Sequence, residues 1–137
     1  MIGLGRSGTA VEKLLTAAGA KVYASDSAVG TGHDLARIAR AGTVVVSPGV
    51  PPDAPPLVTA RGAKVPVFSE IEIALRAMPG MPYIAVTGTN GKTTVTAMIA
   101  HLLRALGLDA VEAGNIGTPL SEIALTQVAP SDSSPVM

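Results

Sequence analysis

Apolar positions along the chain come in two alternating patterns: short β-branched runs, and stripes spaced three or four residues apart. The second pattern is the signature of helices with one buried face, the first of strands. Behind Met1-Ile2 and a glycine-rich turn, Ala10, Val11, Leu14, Leu15 and Ala18 form one stripe, stopped by Gly19. Lys21–Ser25 reads as a strand ending at Asp26. Leu35, Ile38 and Ala39 predict a short helix over 34–41, and Thr43–Val46 a third strand. A helix over Ala54–Arg61, a brief strand at Val65–Phe68 and a helix over Glu70–Met78 follow. Pro79-Gly80-Met81-Pro82 permits neither helix nor strand to continue and reads as a linker. Beyond it, Tyr83–Val86 predicts a buried strand. Val95, Met98, Ile99, Leu102, Leu103 and Leu106 make one long helical stripe stopped by Gly107. Leu108–Ala113 predicts another strand and Leu120–Leu125 a helix, and no structure is assigned to the tail from Ala129.

This βαβα alternation predicts an α/β protein with parallel sheets covered on both faces. Its expected organisation is a Rossmann-like domain over 1–78, a linker over 79–82, and the start of a P-loop type α/β domain over 83–137. Strand one has only Met1 and Ile2 for its length: either the true start lies upstream or the strand is clipped, and a clipped strand would weaken the sheet at its centre.

Two glycine turns carry the candidate chemistry. Gly3-Leu4-Gly5-Arg6-Ser7-Gly8 has the dinucleotide-type spacing, and Asp26 lies 18 residues after Gly8, at the end of the next strand. An acid there is placed to bind a ribose or base. Ser47-Pro48-Gly49 follows the third strand at the same rim, where parallel sheets bind ligands; an ordinary Pro/Gly loop accounts for it equally well. The second turn, Gly88-Thr89-Asn90-Gly91-Lys92-Thr93-Thr94, lies between the predicted strand and the long helix. Backbone N–H groups can close on phosphate oxygens there, with Lys92 on the β- and γ-phosphates and the Thr93 hydroxyl on Mg²⁺. The spacing is one glycine short of the usual pattern, with Val86 where that glycine would stand. Gly114-Asn115-Ile116-Gly117 is a tight turn exposing an amide. His33 and His101 read as packed or half-exposed side chains, because neither has a second metal-binding partner nearby.

Composition narrows the function classes. The 137 residues contain ten basic and ten acidic side chains and no long like-charge block, which disfavours a nucleic-acid face. Cysteine is absent, so no disulfide or thiolate metal site exists, in keeping with a cytoplasmic protein. No apolar run approaches membrane-spanning length, and no membrane insertion is expected. Only three aromatic residues, Tyr23, Phe68 and Tyr83, are present, so the core must be aliphatic.

Thr87–Thr94, with its shortened glycine spacing, resembles the ATP-binding signature of the Mur ligases and the related folylpolyglutamate synthetases. Taken with Gly3–Gly8, Ser47–Gly49 and Gly114–Gly117, the resemblance is to the Mur ligases and runs to about Leu125. It implies an ATP-dependent acid–amino-acid ligase of peptidoglycan precursor synthesis, acting on UDP-N-acetylmuramoyl-L-alanine and D-glutamate through an acyl phosphate. It further implies ATP and Mg²⁺ as cofactors and a monomer. Gly88, Thr89, Asn90, Gly91, Lys92, Thr93 and Thr94 would bind ATP, with Lys92 catalytic and Thr93 on the metal. Ser7, Asp26, Ser27, Ser47, Gly49 and Asn115 would hold the UDP-sugar, so the first glycine turn would bind UDP and not NAD. The family's magnesium-binding glutamate, metal-ligand histidine and carbamylated lysine have no counterpart here, and the chain alone is expected not to catalyse ligation. The alternatives are a non-catalytic module sensing NAD or ADP, another amide ligase of the same family, and a gene fragment with no activity of its own.

Overall fold

A computed structural model describes residues 1–28, 32–115 and 117–128. Gly30 and its two neighbours, Ile116 and the predicted tail lie outside the described residues. The elements, in order, are α1 (Arg6–Ala17), α2 (Leu35–Ile38), β1 (Val44–Val46), α3 (Pro55–Gly62), β2 (Val67–Ser69), α4 (Glu70–Ala77), α5 (Lys92–Ala105) and α6 (Leu120–Val128). The protein is α/β, built on a parallel two-stranded sheet in which Val44 pairs with Val67 and Val46 with Ser69.

Two single-residue bridges extend this sheet. Ile2 bridges Ser25 on one side and Val46 on the other, both in parallel. Its amide donates to the Val45 carbonyl at 2.9 Å and its carbonyl accepts from Ser47 at 3.0 Å. On the far side Ser25 donates to Met1 at 3.0 Å and Gly3 to Ser25 at 3.0 Å. The predicted strand Lys21–Ser25 is thereby reduced to the bridge at Ser25. The cause is the brevity of strand one: two residues give its neighbour almost nothing to pair with. The weak centre expected from the sequence is present.

Helix boundaries follow local chemistry. Asp34 caps α2 by accepting from the Arg37 amide, and proline stands in the first turn of α3. Ser69 and Glu72 form a reciprocal capping box that fixes where β2 ends and α4 begins. Strand β2 runs from Val67 to Ser69, two residues later than its hydrophobic run suggests, because Ser69 is still paired with Val46.

Two apolar clusters hold the fold. Ile2, Ile38, Val44, Leu57, Ala60 and Val65 pack under the sheet against α2 and α3. Leu14, Ala74, Met78 and Ala124 join α1, α4 and α6. Helix α6 therefore packs on α1 and α4, which lie on the other side of the Pro79–Pro82 segment.

The middle of the second half departs from the sequence reading. Tyr83–Val86 is not a strand, and Tyr83 and Ile84 are exposed. Leu108–Ala113 is not a strand either; it contributes one bridge, Ala113 to Thr118. Helix α5 forms as predicted, but Val95, Met98, Leu102 and Leu106 of its stripe face solvent. Among the described residues no strand lies beside either run, and a lone strand leaves its backbone groups unpaired. No described helix is long and apolar enough to cross a membrane.

Candidate functional site

The rim at the carboxyl ends of the strands is built first by glycine geometry. Gly3 has φ +86°, and a Cβ there would lie 2.8 Å from Val50 Cγ2 and 2.9 Å from Ser47 Cβ. At Gly8 a Cβ would lie 1.9 Å from the Gly3 carbonyl oxygen, so α1 can approach the first turn this closely only without a side chain. Gly5 differs: its φ is −62°, and a Cβ would meet nothing within 4 Å. Two of the three motif glycines are thus required by the protein itself, whereas the middle one opens onto free space. That division matches a turn whose backbone must admit a ligand at its second glycine.

Asp26 closes the turn. One carboxylate oxygen accepts from the Leu4 amide at 2.6 Å and the other from the Ala28 amide at 2.7 Å. These two N–H groups, Leu4 first, hold its pKa below the ordinary carboxylate value, with a smaller contribution from His33. His33 is itself engaged, with Nδ1 2.9 Å from the Ser25 hydroxyl. Asp26 therefore shapes the first glycine turn as well as facing the rim, a dual duty that sequence spacing does not reveal. Ser7 lies in the first turn of α1, whose N-terminus has no side-chain cap. Ser47 is buried and hydrogen-bonded through its amide to Ile2, while Ser27 and Gly49 are exposed.

Asn115 stands a few residues before α6, and α6 is tied to the N-terminal ends of α1 and α4. The Glu70 carboxyl, one residue beyond the end of β2, accepts from the Ser121 amide at 2.7 Å and also from the Ser121 hydroxyl. Arg6 forms a 3.5 Å ion pair with Glu122. The N-terminal turns of α1, α4 and α6 consequently converge beside Ser47. Asn115 is exposed in the turn that leads into α6, and that turn is closed by a 3.0 Å bond from the Gly114 amide to Thr118. Glu70 and Ser121 are the residues that the sequence pattern left out of the site. The serine-x-x-glutamate cap at Ser69 and Glu72 was the available signal that a helix starts at this rim.

The second candidate site is local. Gly91, with φ 76°, precedes α5 in the left-handed region, and no side chain caps the helix. The Lys92 ammonium folds back onto the carbonyls of Gly88 and, at 3.5 Å, Thr89. Gly88 to Thr94 are all exposed, so the uncapped N–H groups, the lysine and the Thr93 hydroxyl are accessible together. This donor set suits a polyphosphate: uncapped amides at the positive end of a 14-residue helix, beside the exposed Lys92 ammonium. Among the described residues, no group of three or more histidine, aspartate or glutamate side chains is arranged to hold a metal.

Residues 86–133 match the family model of the Mur ligase middle domain. The chain is also 39% identical to UDP-N-acetylmuramoylalanine–D-glutamate ligase of Nostoc sp. over 95% of its length, covering 32% of that protein. Along its length the chain is similar to Mur ligases. Similarity to Mur ligases bearing the same name extends to Koribacter versatilis, at 40% identity over 100% of this chain and 34% of the relative. It extends also to Frankia casuarinae, at 41% over 88% of this chain and 29% of the relative. The chain thus spans about a third of the length of the Mur ligases it matches.

Proposed function

We propose that this chain provides the UDP-sugar rim and the ATP phosphate cradle of a ligase that joins D-glutamate to UDP-N-acetylmuramoyl-L-alanine. The observation that carries the reading is the reach of the similarity. It runs across the whole chain in the Koribacter protein and so takes in both glycine turns, not the middle-domain segment alone. In this reading the first part is Rossmann-like, with Ser7, Asp26, Ser27, Ser47, Gly49 and Asn115 around the UDP-sugar. The open space at Gly5 suits the approach of a diphosphate to the backbone. The protein would work in the cytoplasm.

Residues Gly88–Thr94 fit ATP. Lys92 would exchange its loop carbonyls for phosphate oxygens, the amides of Thr93 and Thr94 would donate to them, and the Thr93 hydroxyl would ligate Mg²⁺. ATP with Mg²⁺ supplies the phosphoryl group that turns the alanine carboxylate into an acyl phosphate, from which the amine of D-glutamate displaces phosphate. What this chain contributes is electrostatic: a fixed positive charge and preset donors where negative charge accumulates during transfer.

Calorimetric titration of the chain with UDP-N-acetylmuramoyl-L-alanine, NAD and ATP tests the reading. The sugar nucleotide and ATP should bind and NAD should not. Lys92→Ala should weaken ATP by about tenfold or more, the scale of one lost charge-assisted contact, and leave the sugar nucleotide unaffected. NAD binding in place of the sugar nucleotide, or ATP affinity indifferent to Lys92, would overturn it.

A further inference from the structure

Glu70 is fully buried, yet it stands at the edge of an aliphatic cluster and one of its oxygens, Oε2, has no hydrogen-bond partner among the described residues. A leucine or methionine of similar volume would pack α4 on α6 at least as well, because a buried polar group with an unmet acceptor is costly. What the carboxyl adds is direction. Its bonds to the Ser121 amide and hydroxyl fix both the rotation and the axial position of α6 against α4, across 51 residues of sequence. Hydrophobic contacts alone leave such a helix free to slide by fractions of a turn.

That constraint is passed to the Asn115 turn by the residues just before α6. Pro119, buried, sits directly before α6. Thr118 before it accepts from Gly114 and bridges Ala113, closing the turn that carries Asn115. Glu70 itself follows Ser69, the partner of Val46, so its backbone is anchored to the strand that leads into Ser47. We propose that Glu70 is a positioning residue: through Ser121 it sets the Asn115 turn against the Ser47 rim, so that both halves of the sugar-nucleotide site keep their spacing. The inference rests on the sugar-nucleotide reading above for its ligand, but not for its geometry. Among the described residues the Lys92 ammonium bonds to Gly88 and Thr89 of its own loop and to nothing on α4 or α6, so the effect should spare ATP.

The experiment uses the full chain with Glu70→Leu, Glu70→Gln and Ser121→Ala. Thermal unfolding, affinities for UDP-N-acetylmuramoyl-L-alanine and for a non-hydrolysable ATP analogue, and amide exchange at Gly114 are measured for each. Leucine should preserve folding and ATP-analogue affinity within about twofold, weaken the sugar nucleotide by about tenfold, and speed Gly114 exchange. Glutamine, which keeps an acceptor for the Ser121 amide, should restore sugar affinity to within about threefold of wild type, and Ser121→Ala should fall between. A purely structural role predicts instead that both ligands weaken together as the melting temperature falls, and that result overturns the proposal. So does a folded Glu70→Leu protein with wild-type sugar affinity. If wild type itself ignores the sugar nucleotide, the functional reading fails, and Gly114 exchange alone decides the geometry: faster in Glu70→Leu sustains it, unchanged refutes it.

Discussion

Replacing Gly8 with alanine and, separately, Gly5 with alanine asks which glycines of the first turn serve the fold and which serve a ligand. At Gly8 the new Cβ would sit 1.9 Å from the Gly3 carbonyl oxygen and 2.9 Å from its carbon, against backbone that cannot rotate away. Non-bonded carbon and oxygen need about 3 Å, so α1 must withdraw by roughly 1 Å. Withdrawal loosens Ala10, Val11 and Leu14 from the core and strains the 2.6 Å bond from Leu4 to Asp26. Overpacking of this kind costs about 1–3 kcal/mol, and weakening a hydrogen bond to a charged group adds about 1.5 kcal/mol. Alanine recovers about 1 kcal/mol in helix propensity. The net loss is about 1.5–3.5 kcal/mol, a large share of the roughly 5–15 kcal/mol that domains possess. At Gly5 no atom is met, and the modest loss of alanine at a helix N-cap is offset by reduced chain entropy when unfolded, leaving a change within about 1 kcal/mol. Urea denaturation followed by circular dichroism reads both. Gly5→Ala should instead weaken the sugar nucleotide by about tenfold, since its methyl group occupies the open approach. Equal stability of Gly8→Ala and wild type would refute the close-approach argument; unaltered sugar affinity in Gly5→Ala would remove the ligand from that turn.

Three further outcomes are expected. Leu14→Ala, at the junction of α1, α4 and α6, should cost about 2–5 kcal/mol in urea denaturation, because its cluster cannot close over the void. Ser69→Ala should cost about 1 kcal/mol by loss of the capping box, with Glu72→Ala giving no large further loss in the double variant. For Asp26 the folded pKa lies below the ordinary carboxylate value of the unfolded chain, held there by the Leu4 and Ala28 amides, so its ionised form is favoured by folding. Its stabilisation is complete above that unfolded value and disappears as pH falls through the lower folded one. The stability gap between wild type and Asp26→Asn should therefore be wide at pH 6 and close in strong acid; a gap that widens with acid would contradict the assignment.

The sequence by itself determined the helices, since stripe spacing, glycine stops, the Asp34 cap and the proline at the start of α3 are local signals that act over one or two turns. It also determined the two glycine turns and the likeness to Mur ligases, because spacing of glycine, lysine and threonine is chemistry written in the chain. The strands were less legible. Tyr83–Val86 and Leu108–Ala113 have the composition of strands, but a strand exists only when another backbone lies alongside, and pattern carries no information on that. Tertiary structure alone supplied the contacts behind the motif's division of labour, the Gly3 carbonyl closing on Gly8 and open space at Gly5. It alone brought Glu70 to Ser121, because a contact across 51 residues depends on how α4 and α6 are carried together and not on any neighbour in sequence.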